Sequence, residues 1–524
     1  MKKTDLAILF ILSLLVLSVN FVYQQHPGYM DSEYYYLGGL QLSKGDYKLP
    51  VIWNYLDGAN QLPHPLFSYW LPFASILSGL SISIFGATFF GSRIVFWILA
   101  AGLSPLSYYV GYVVTKNRFI GIISGLLAIF CGYYFKFFTI PETFIPSVYL
   151  GTIFFLIISR MFNKRIVTIK ECSSLGVICG LLQFSRSDGV IFFLMGLAGI
   201  LYLTIKNKKT SFNSNALPIL IFFGTYILVN SPFYFYNYQN FRTFITPATS
   251  KAIWIASYDD TFLYPSSQLT FSYFLSNGLL PRFDQIIQAI KMNFGSFLGV
   301  QLLIIGAPLG LLGYYKNNNN LIFRIAVIHL TLVFLLMSLI FPLAGGRGGF
   351  LHASAANQII IWVIIATGLE EFIVWGINSR SWKLIRSRKM FGSATILFAF
   401  FLTSIIYQRD VIGDQRNNYR WNRDYSTYAY IESIISNYSH TSIDTVMINN
   451  PIGYFYETGR WSVAIPNSSP EDLISLAEKM NIKFLVLDEN IPDRFSQDHF
   501  MSIENEFNQI YQNSQNLRIY EKRP

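Results

Sequence analysis

The sequence predicts a polytopic α-helical membrane protein that carries a small α/β domain at its C-terminal end. Three observations predict it. Of 524 residues, 52% are hydrophobic and 17% aromatic but only 13% charged, about half the share of a soluble domain. The charges gather in short clusters between apolar runs such as Leu6 to Tyr23, Ile191 to Ile205 and Ile325 to Pro342, each approaching the roughly 20 residues that cross the hydrocarbon. After Arg409 the pattern changes to short β-branched segments alternating with helical ones, as in an α/β fold. These features exclude a disordered chain, a collagen-like chain and a soluble enzyme with a tail. The net charge of +10 fits the basic clusters of a cytoplasmic membrane face, not a nucleic-acid surface. Cys131, Cys172 and Cys179 lie in or beside apolar segments and match neither a disulfide framework nor a zinc site.

Lys2 and Lys3 precede the first run and no small-residue cleavage motif follows it, so Leu6 to Tyr23 reads as a retained span with a cytoplasmic N-terminus. The polar, aromatic stretch 24–65 then lies outside. Six apolar candidates follow, at about 66–84, 93–114, 119–135, 143–159, 173–184 and 190–205. An even number cannot connect an outer loop to the basic cluster Lys206-Asn207-Lys208-Lys209, so one candidate is short, re-entrant or half of a broken helix, with Ser173 to Phe184 the weakest. Pro218 to Asn230 crosses outward, 231–293 is outside, Gln301 to Tyr315 returns, and Ile325 to Pro342 crosses out again. Residues 343–355 form an outer loop, Asn357 to Leu369 crosses in, and Arg380 to Lys389 carries five basic residues and no acid. Gly392 to Ile405 crosses out. The expected count is about 11–13 transmembrane helices in residues 1–408, with 409–524 as an extracytoplasmic α/β domain. That domain is expected to hold a helix at Tyr425 to Asn437, strands at Thr445 to Ile448 and Arg460 to Ile465, and a turn at Pro451-Ile452-Gly453. A helix then runs from the cap Ser469-Pro470-Glu471-Asp472 to Met480, followed by a strand at Ile482 to Leu487, a helix at 499–512 and a strand at Leu517 to Tyr520. It contains no GxGxxG or GxxxxGK, so nucleotide binding has no support, and a cap over the membrane part is the plain expectation.

Several residues stand out. Asp31 and Glu33 precede three tyrosines soon after the first span. Such residues also populate membrane interfaces without chemistry. The functional reading makes Asp31 a general base and has Glu33 position the substrate, or has the pair hold a cation. His64, between Pro63 and Pro65, can donate toward a phosphate or sugar, or be an ordinary interfacial histidine. Glu142 and the Arg186-Ser187-Asp188 group are ionisable residues flanked by apolar segments, expensive in lipid and therefore a buried polar site or a structural pair. Trp254, Tyr258, Asp259 and Asp260 combine aromatic faces for sugar rings with carboxylates for hydroxyls, which suits a polyol or acceptor site. The sharpest cluster is Gly345-Gly346-Arg347-Gly348-Gly349, followed by His352 and Ser354. Glycines let backbone N–H groups approach a ligand and form an anion nest, and the Arg347 fork matches phosphate oxygens. A re-entrant turn is the plain alternative. An outward-facing anion site at that depth suggests a lipid phosphate held by Arg347, Gly346, Gly348 and His352, with His64 as a further donor.

The acidic-aromatic motif after the first span, the proline-flanked His64 at the second, the many spans and the outer C-terminal domain resemble the membrane-integral GT-C glycosyltransferases, over about residues 1–405. The nearest branch resembles family 39, which includes dolichyl-phosphate-mannose protein mannosyltransferases and bacterial aminoarabinose transferases. The resemblance implies transfer of a sugar from a polyprenyl phosphate to an acceptor on the outer face, with inversion. It places Asp31 on the family's first-loop catalytic acid, with Glu33 beside it, and His64-Pro65 where the aminoarabinose branch has charged residues before proline. Glu142 is the candidate for the second acid. The C-terminal domain lacks the β-trefoil insert of the eukaryotic mannosyltransferases. No cofactor is required, and a divalent metal is compatible but not needed. The expected partners are a polyprenyl-phosphate sugar donor, a protein, lipid or glycan acceptor, and the bilayer of the cell membrane, with no nucleic acid. An oligosaccharide ligase of the same superfamily and a lipid or solute transporter or flippase are the alternatives. No internal repeat of the transporter kind occurs.

Overall fold

The structure, a computed structural model, describes residues 2–206, 212–276, 278, 280–415, 418–492, 494–495, 497–514 and 516–523. The basic cluster expected at 206–209 therefore lies outside the described residues beyond Lys206. Among the described residues, eight helices are long and apolar enough to cross a membrane. They are Lys3–Tyr23, Phe89–Thr115, Phe144–Lys164, Ser187–Lys206, Ala216–Phe241, Leu321–Ile340, Pro342–Arg380 and Leu384–Ile412. Leu280–Gln301 and Gly306–Lys316 make a ninth if counted as one span bent by 87°. The protein is a multi-pass membrane protein, with fewer long spans than the 11–13 expected from the sequence. Two of the candidates are helical but short: Phe73–Phe85 has 13 residues and Arg118–Ile129 has 12, so each reaches about 20 Å of the roughly 30 Å of hydrocarbon. The 173–184 candidate is a 17-residue helix, Ile169–Ser185, capped by the Thr168 side chain, which accepts the Glu171 N–H.

The chain forms two compact units. The first comprises Met1–Tyr23, Arg93–Phe235 and Ile286–Asp414, and holds most of the long apolar helices. Its central element is Gln358–Arg380, buried on every side from Gln358 to Glu370, as expected of a helix that is apolar all round. Polar side chains pair between helices at two places: His329 Nδ1 lies 2.7 Å from Asn357 Oδ1, and Asn293 donates to Ser338 at 3.0 Å. Charges tie helix ends together. Asp5 accepts from both Arg118 nitrogens at 2.8 and 2.7 Å and from Tyr108 at 2.8 Å, while Glu370 pairs with Arg388 and accepts from Asn117.

The second unit comprises Gln24–Ser92, Tyr236–Gln285 and Gln415–Pro524. Its strands are β1 (Lys48–Leu49), β2 (Val51–Ile52), β3 (His64–Pro65), β4 (Thr445–Met447), β5 (Ser462–Val463), β6 (Ile482–Leu487), β7 (Phe507–Gln512) and β8 (Arg518–Lys522). β1 and β3 pair antiparallel, and the others form a six-stranded sheet in the order β2-β5-β4-β6-β8-β7. β2, β5, β4 and β6 are parallel, whereas β8 and β7 are antiparallel. Both faces are covered, so β6 is apolar at nearly every position. Leu485 and Leu487 face one core with Ile52 and Val463, and Phe484 and Val486 face the other with Val446 and Tyr454.

The sequence reading of this domain needs two corrections. Pro451-Ile452-Gly453 opens a helix, Pro451–Thr458, because Asn450 accepts the Gly453 N–H and caps it with proline at the first position. The segment expected as one helix at 499–512 is a helix, Gln497–Glu506, that gives way to β7. The Ser469 cap is as expected and accepts the Asp472 N–H at 3.2 Å.

Candidate functional site

In the first unit the helical run after Leu321 breaks at Gly345–Gly349. Arg347 (φ −93°, ψ 19°) and Gly348 (φ +116°) leave helical geometry before the helix resumes at Phe350. A near-αR residue followed by positive φ is the backbone sequence of an anion nest. Three glycines are demanded by the path: Gly348 by its φ, Gly345 because a Cβ there would lie 1.8 Å from the Met337 carbonyl oxygen, and Gly349 because one would lie 2.7 Å from that of Ala344. The expected outer loop is thus a tight break inside a helical stretch. Arg347 is exposed at it, Gly346 is half-buried, and a Cβ on Gly346 would meet Ala289 and Met292 at 3.6 Å. One turn onward Phe350 lines an apolar groove of about 470 Å³, with Phe294, Phe297, Leu311, Tyr314 and Phe334 among its walls. Such a groove accepts hydrocarbon.

Also in this unit, the break brings His352 to Glu142. His352 Nδ1 is 3.6 Å from Glu142 Oε1 and 3.4 Å from Thr143 Oγ1, and its ring stacks on Phe144 with centroids 4.2 Å apart. Glu142 is 1% exposed and accepts from the Thr143 N–H and hydroxyl at 2.6 and 2.8 Å. Arg186 donates to Asp188 at 2.9 Å. The structure therefore pairs Glu142 with His352 and Arg186 with Asp188. Thr143 and Phe144, which hold the first pair, carried no signal in the sequence. Glu142 and His352 offer an oxygen and a nitrogen of the kinds a divalent cation takes.

In the second unit Asp31 and Glu33 lie in the first turn of the helix Met30–Ser43, not in an extended loop. Asp31 is half-buried at this helix start. Glu33 is 1% exposed and accepts from Tyr425 Oη at 2.7 Å and Asn450 Nδ2 at 3.2 Å. Burial outweighs these bonds and pushes its carboxyl up to about 7. His64 in β3 points Nε2 at Asp57 Oδ2, 3.1 Å away. Burial opposes ionisation of Asp57, but the His64 bond and charge, Ser68 and the Ala59 N–H win and hold its carboxyl below the usual range. Asp260 organises its own loop: the Ala256 and Ser257 N–H groups donate to Oδ2 at 2.8 Å, and Tyr273 donates to Oδ1 at 2.7 Å. Trp254 packs on Phe271. Tyr258 is exposed and Asp259 half-buried, so these two present more of that loop to solvent.

No family model matches the sequence, and no curated protein matches it. Solved structures do. The archaeal oligosaccharyltransferase AglB from Archaeoglobus fulgidus, in complex with an inhibitory peptide and a dolichol-phosphate, superposes with a TM-score of 0.59 at 13% identity, over 100% of this chain and 74% of that one. ArnT from Cupriavidus metallidurans, bound to undecaprenyl phosphate, gives 0.56 at 10% identity over 99% and 98%. The Archaeoglobus fulgidus oligosaccharyltransferase in complex with Zn and sulfate gives 0.55 at 14% over 98% and 73%. The chain has the membrane-integral GT-C fold.

Proposed function

We propose that this chain is an inverting glycosyltransferase that moves a sugar from a polyprenyl-phosphate donor to a protein, lipid or glycan acceptor on the extracytoplasmic face, as the family 39 branch does. The observation that carries this reading is the Arg347 break beside the apolar groove: a guanidinium and a nest for a phosphate, with an aromatic-walled channel for its hydrocarbon tail one helical turn away. The likeness to a fold solved with dolichol-phosphate and undecaprenyl phosphate supports it. The N-terminus is cytoplasmic and the sheet-containing C-terminal segment outside.

In this mechanism Arg347, Gly346 and Gly348 hold the donor phosphate. Asp31 takes the proton from the acceptor's nucleophilic oxygen or nitrogen as that atom bonds to the anomeric carbon. The bond from that carbon to the phosphate oxygen breaks, and polyprenyl phosphate leaves with the electron pair, stabilised by the guanidinium. A single displacement inverts the anomeric centre. Glu142 provides a buried carboxylate with the half-buried His352 beside it, Arg186 and Asp188 form a half-buried pair, and Tyr258 and Asp259 stand ready for the acceptor or sugar. Phosphate is an adequate leaving group, so a divalent cation is compatible with the donors of Glu142 and His352 but not needed.

The test is transfer by the purified full chain in proteoliposomes, supplied with a panel of radiolabelled polyprenyl-phosphate hexoses and pentoses. Labelled product is expected from at least one donor, with transfer insensitive to EDTA. Asp31→Asn should assemble and still bind donor, with transfer about 10²-fold lower or worse. Movement of label across the membrane with no product from any donor would replace this reading with that of a transporter.

A further inference from the structure

Asp31 and Glu33 invite reading as one catalytic pair, but both lie on the first turn of the helix Met30–Ser43. Residues two apart on a helix are rotated by about 200° and do not face a common point. Where Glu33 points is explicit. Its two oxygens accept from Tyr425 and Asn450, which follow it in the chain by about four hundred residues and belong to the sheet-bearing segment of the same unit. The Tyr425 hydroxyl that donates to Glu33 also accepts the Gly28 N–H at 2.7 Å, just before the helix begins. Asn450 caps the Pro451–Thr458 helix, and a Cβ on Gly453 of that helix would meet Glu33 Oε1 at 2.7 Å. A side chain there would push against the carboxyl.

The strapping continues upstream. Asn422 Oδ1 accepts from the Gln25 and His26 N–H groups at 3.1 and 3.2 Å. Trp421 Nε1 donates to the His26 carbonyl at 2.9 Å, and the His26 ring stacks on Tyr425 with centroids 4.3 Å apart. Gln25, His26, Gly28 and Glu33 are thus fastened to Trp421, Asn422, Tyr425 and Asn450, and Asp31 lies between the fastened points.

We infer that Glu33 is a positioning residue, and that through its bonds to Tyr425 and Asn450 the C-terminal α/β segment fixes the turn that presents Asp31. The inference rests on the reading of Asp31 as the base. It gives the C-terminal segment a part in transfer beyond that of a cap, because any change in the Tyr425–Asn450 seat reaches the Asp31 turn through one carboxyl.

The test uses the full chain and two readouts. Glu33→Ala and Tyr425→Phe should lower kcat by about 10- to 100-fold, the range expected when a reacting group is misplaced by about 1 Å, with the donor KM changed less than about twofold. Glu33→Gln keeps an accepting oxygen in the same seat and should recover most of that loss, whereas Asp31→Asn should not recover. The combined Glu33→Ala and Tyr425→Phe variant should lose less than the product of the two single effects, since both cut the Tyr425–Glu33 bond. Hydrogen exchange of the peptide spanning residues 28–36, measured without donor or acceptor, should speed up by about 10-fold or more in Tyr425→Phe and Glu33→Ala. Exchange that stays at the wild-type rate in both variants would overturn the inference whether or not transfer is found. Glu33→Gln as dead as Asp31→Asn, beside a fully active Tyr425→Phe, would overturn it by placing Glu33 on the reacting atoms. Failure of the wild type to transfer any sugar would instead strike the glycosyltransferase reading, leaving the exchange result to decide the link itself.

Discussion

The role proposed for Arg347 and the pairing of Asp57 put a charge to opposite uses. Arg347 is exposed at the glycine break, so its removal should cost ligand binding and little stability. Arg347→Ala is expected to reduce kcat/KM for the lipid-linked donor by about 10- to 150-fold, the equivalent of a charged hydrogen bond of roughly 1.5–3 kcal/mol. Its melting temperature should match the wild type's, and Arg347→Lys should restore only part because the fork is lost. Asp57 is buried against His64, and here the effect belongs to folding. A carboxyl held below its usual range in the folded state contributes stability above the unfolded pKa of about 4, and that contribution is lost as pH falls through the folded value. His64→Ala should therefore lower the melting temperature clearly at pH 7, and the gap from the wild type should narrow as the pH falls below about 4. A gap that is constant with pH would mean that the pair does not set the stability. The residue types were legible in the sequence, but their directions were not. Asp31 and Glu33 look adjacent when 24–65 is read as a loop, because residues two apart share one face of an extended chain. The helix that forms there turns them apart. His64 could not be assigned to Asp57 either, since six residues of irregular chain separate them and only the fold closes that distance.

At the scale of elements, the long apolar helices could be read from the sequence because hydropathy is a local property that lipid selects directly. Their lengths and breaks depend on neighbours. The run 343–355 read as a loop because four glycines are poor helix formers, yet the chain stays nearly helical through it and departs only at Arg347 and Gly348. What demands Gly345 is a contact with the Met337 backbone, which no scan of the residues alone would find. Gly345→Ala places a methyl group against that carbonyl, where neither backbone can yield cheaply. A loss of about 1–3 kcal/mol is expected, read as a lowered melting temperature of the purified chain. An unchanged melt would mean that the break can relax and that the close approach is not a constraint. The same dependence on partners explains the C-terminal segment. The apolar run of β6 identifies itself, whereas β7 (Phe507–Gln512) is polar at three of its six positions and becomes a strand because β8 offers it an edge.

For the molecule as a whole, the sheet is where the chain's organisation departs furthest from its order in sequence. Four strands of the C-terminal segment and its antiparallel β7 are joined by β2, two residues from the loop after the first span. Two-residue strands have no sequence signature, so their membership could only come from the fold. Their contribution is nevertheless large. The Ser462 N–H donates to Pro50 at 3.2 Å and the Ala464 N–H to Ile52 at 2.7 Å. Tyr55 donates to the Ala464 carbonyl at 2.5 Å, and Ile52, Tyr55 and Ala59 are buried in the same core as Val463 and Leu485. Losing two large side chains of this kind removes roughly 3–6 kcal/mol of apolar burial, comparable with the 5–15 kcal/mol by which a whole domain is stable, and bares the β5 edge for aggregation. Residues 415–524 expressed alone are therefore expected to aggregate or to lack a cooperative melt. A single chain that joins 24–92, 236–285 and 415–524 through flexible linkers should recover folded protein in detergent, measured by circular dichroism and a cooperative melt. A cooperative melt from 415–524 by itself would show that β2 is an ornament on a self-sufficient sheet. Residues 25–33 would then be held to the sheet-bearing segment by the bonds of Trp421, Asn422, Tyr425 and Asn450, and those bonds would fix the Asp31 turn without help from β2.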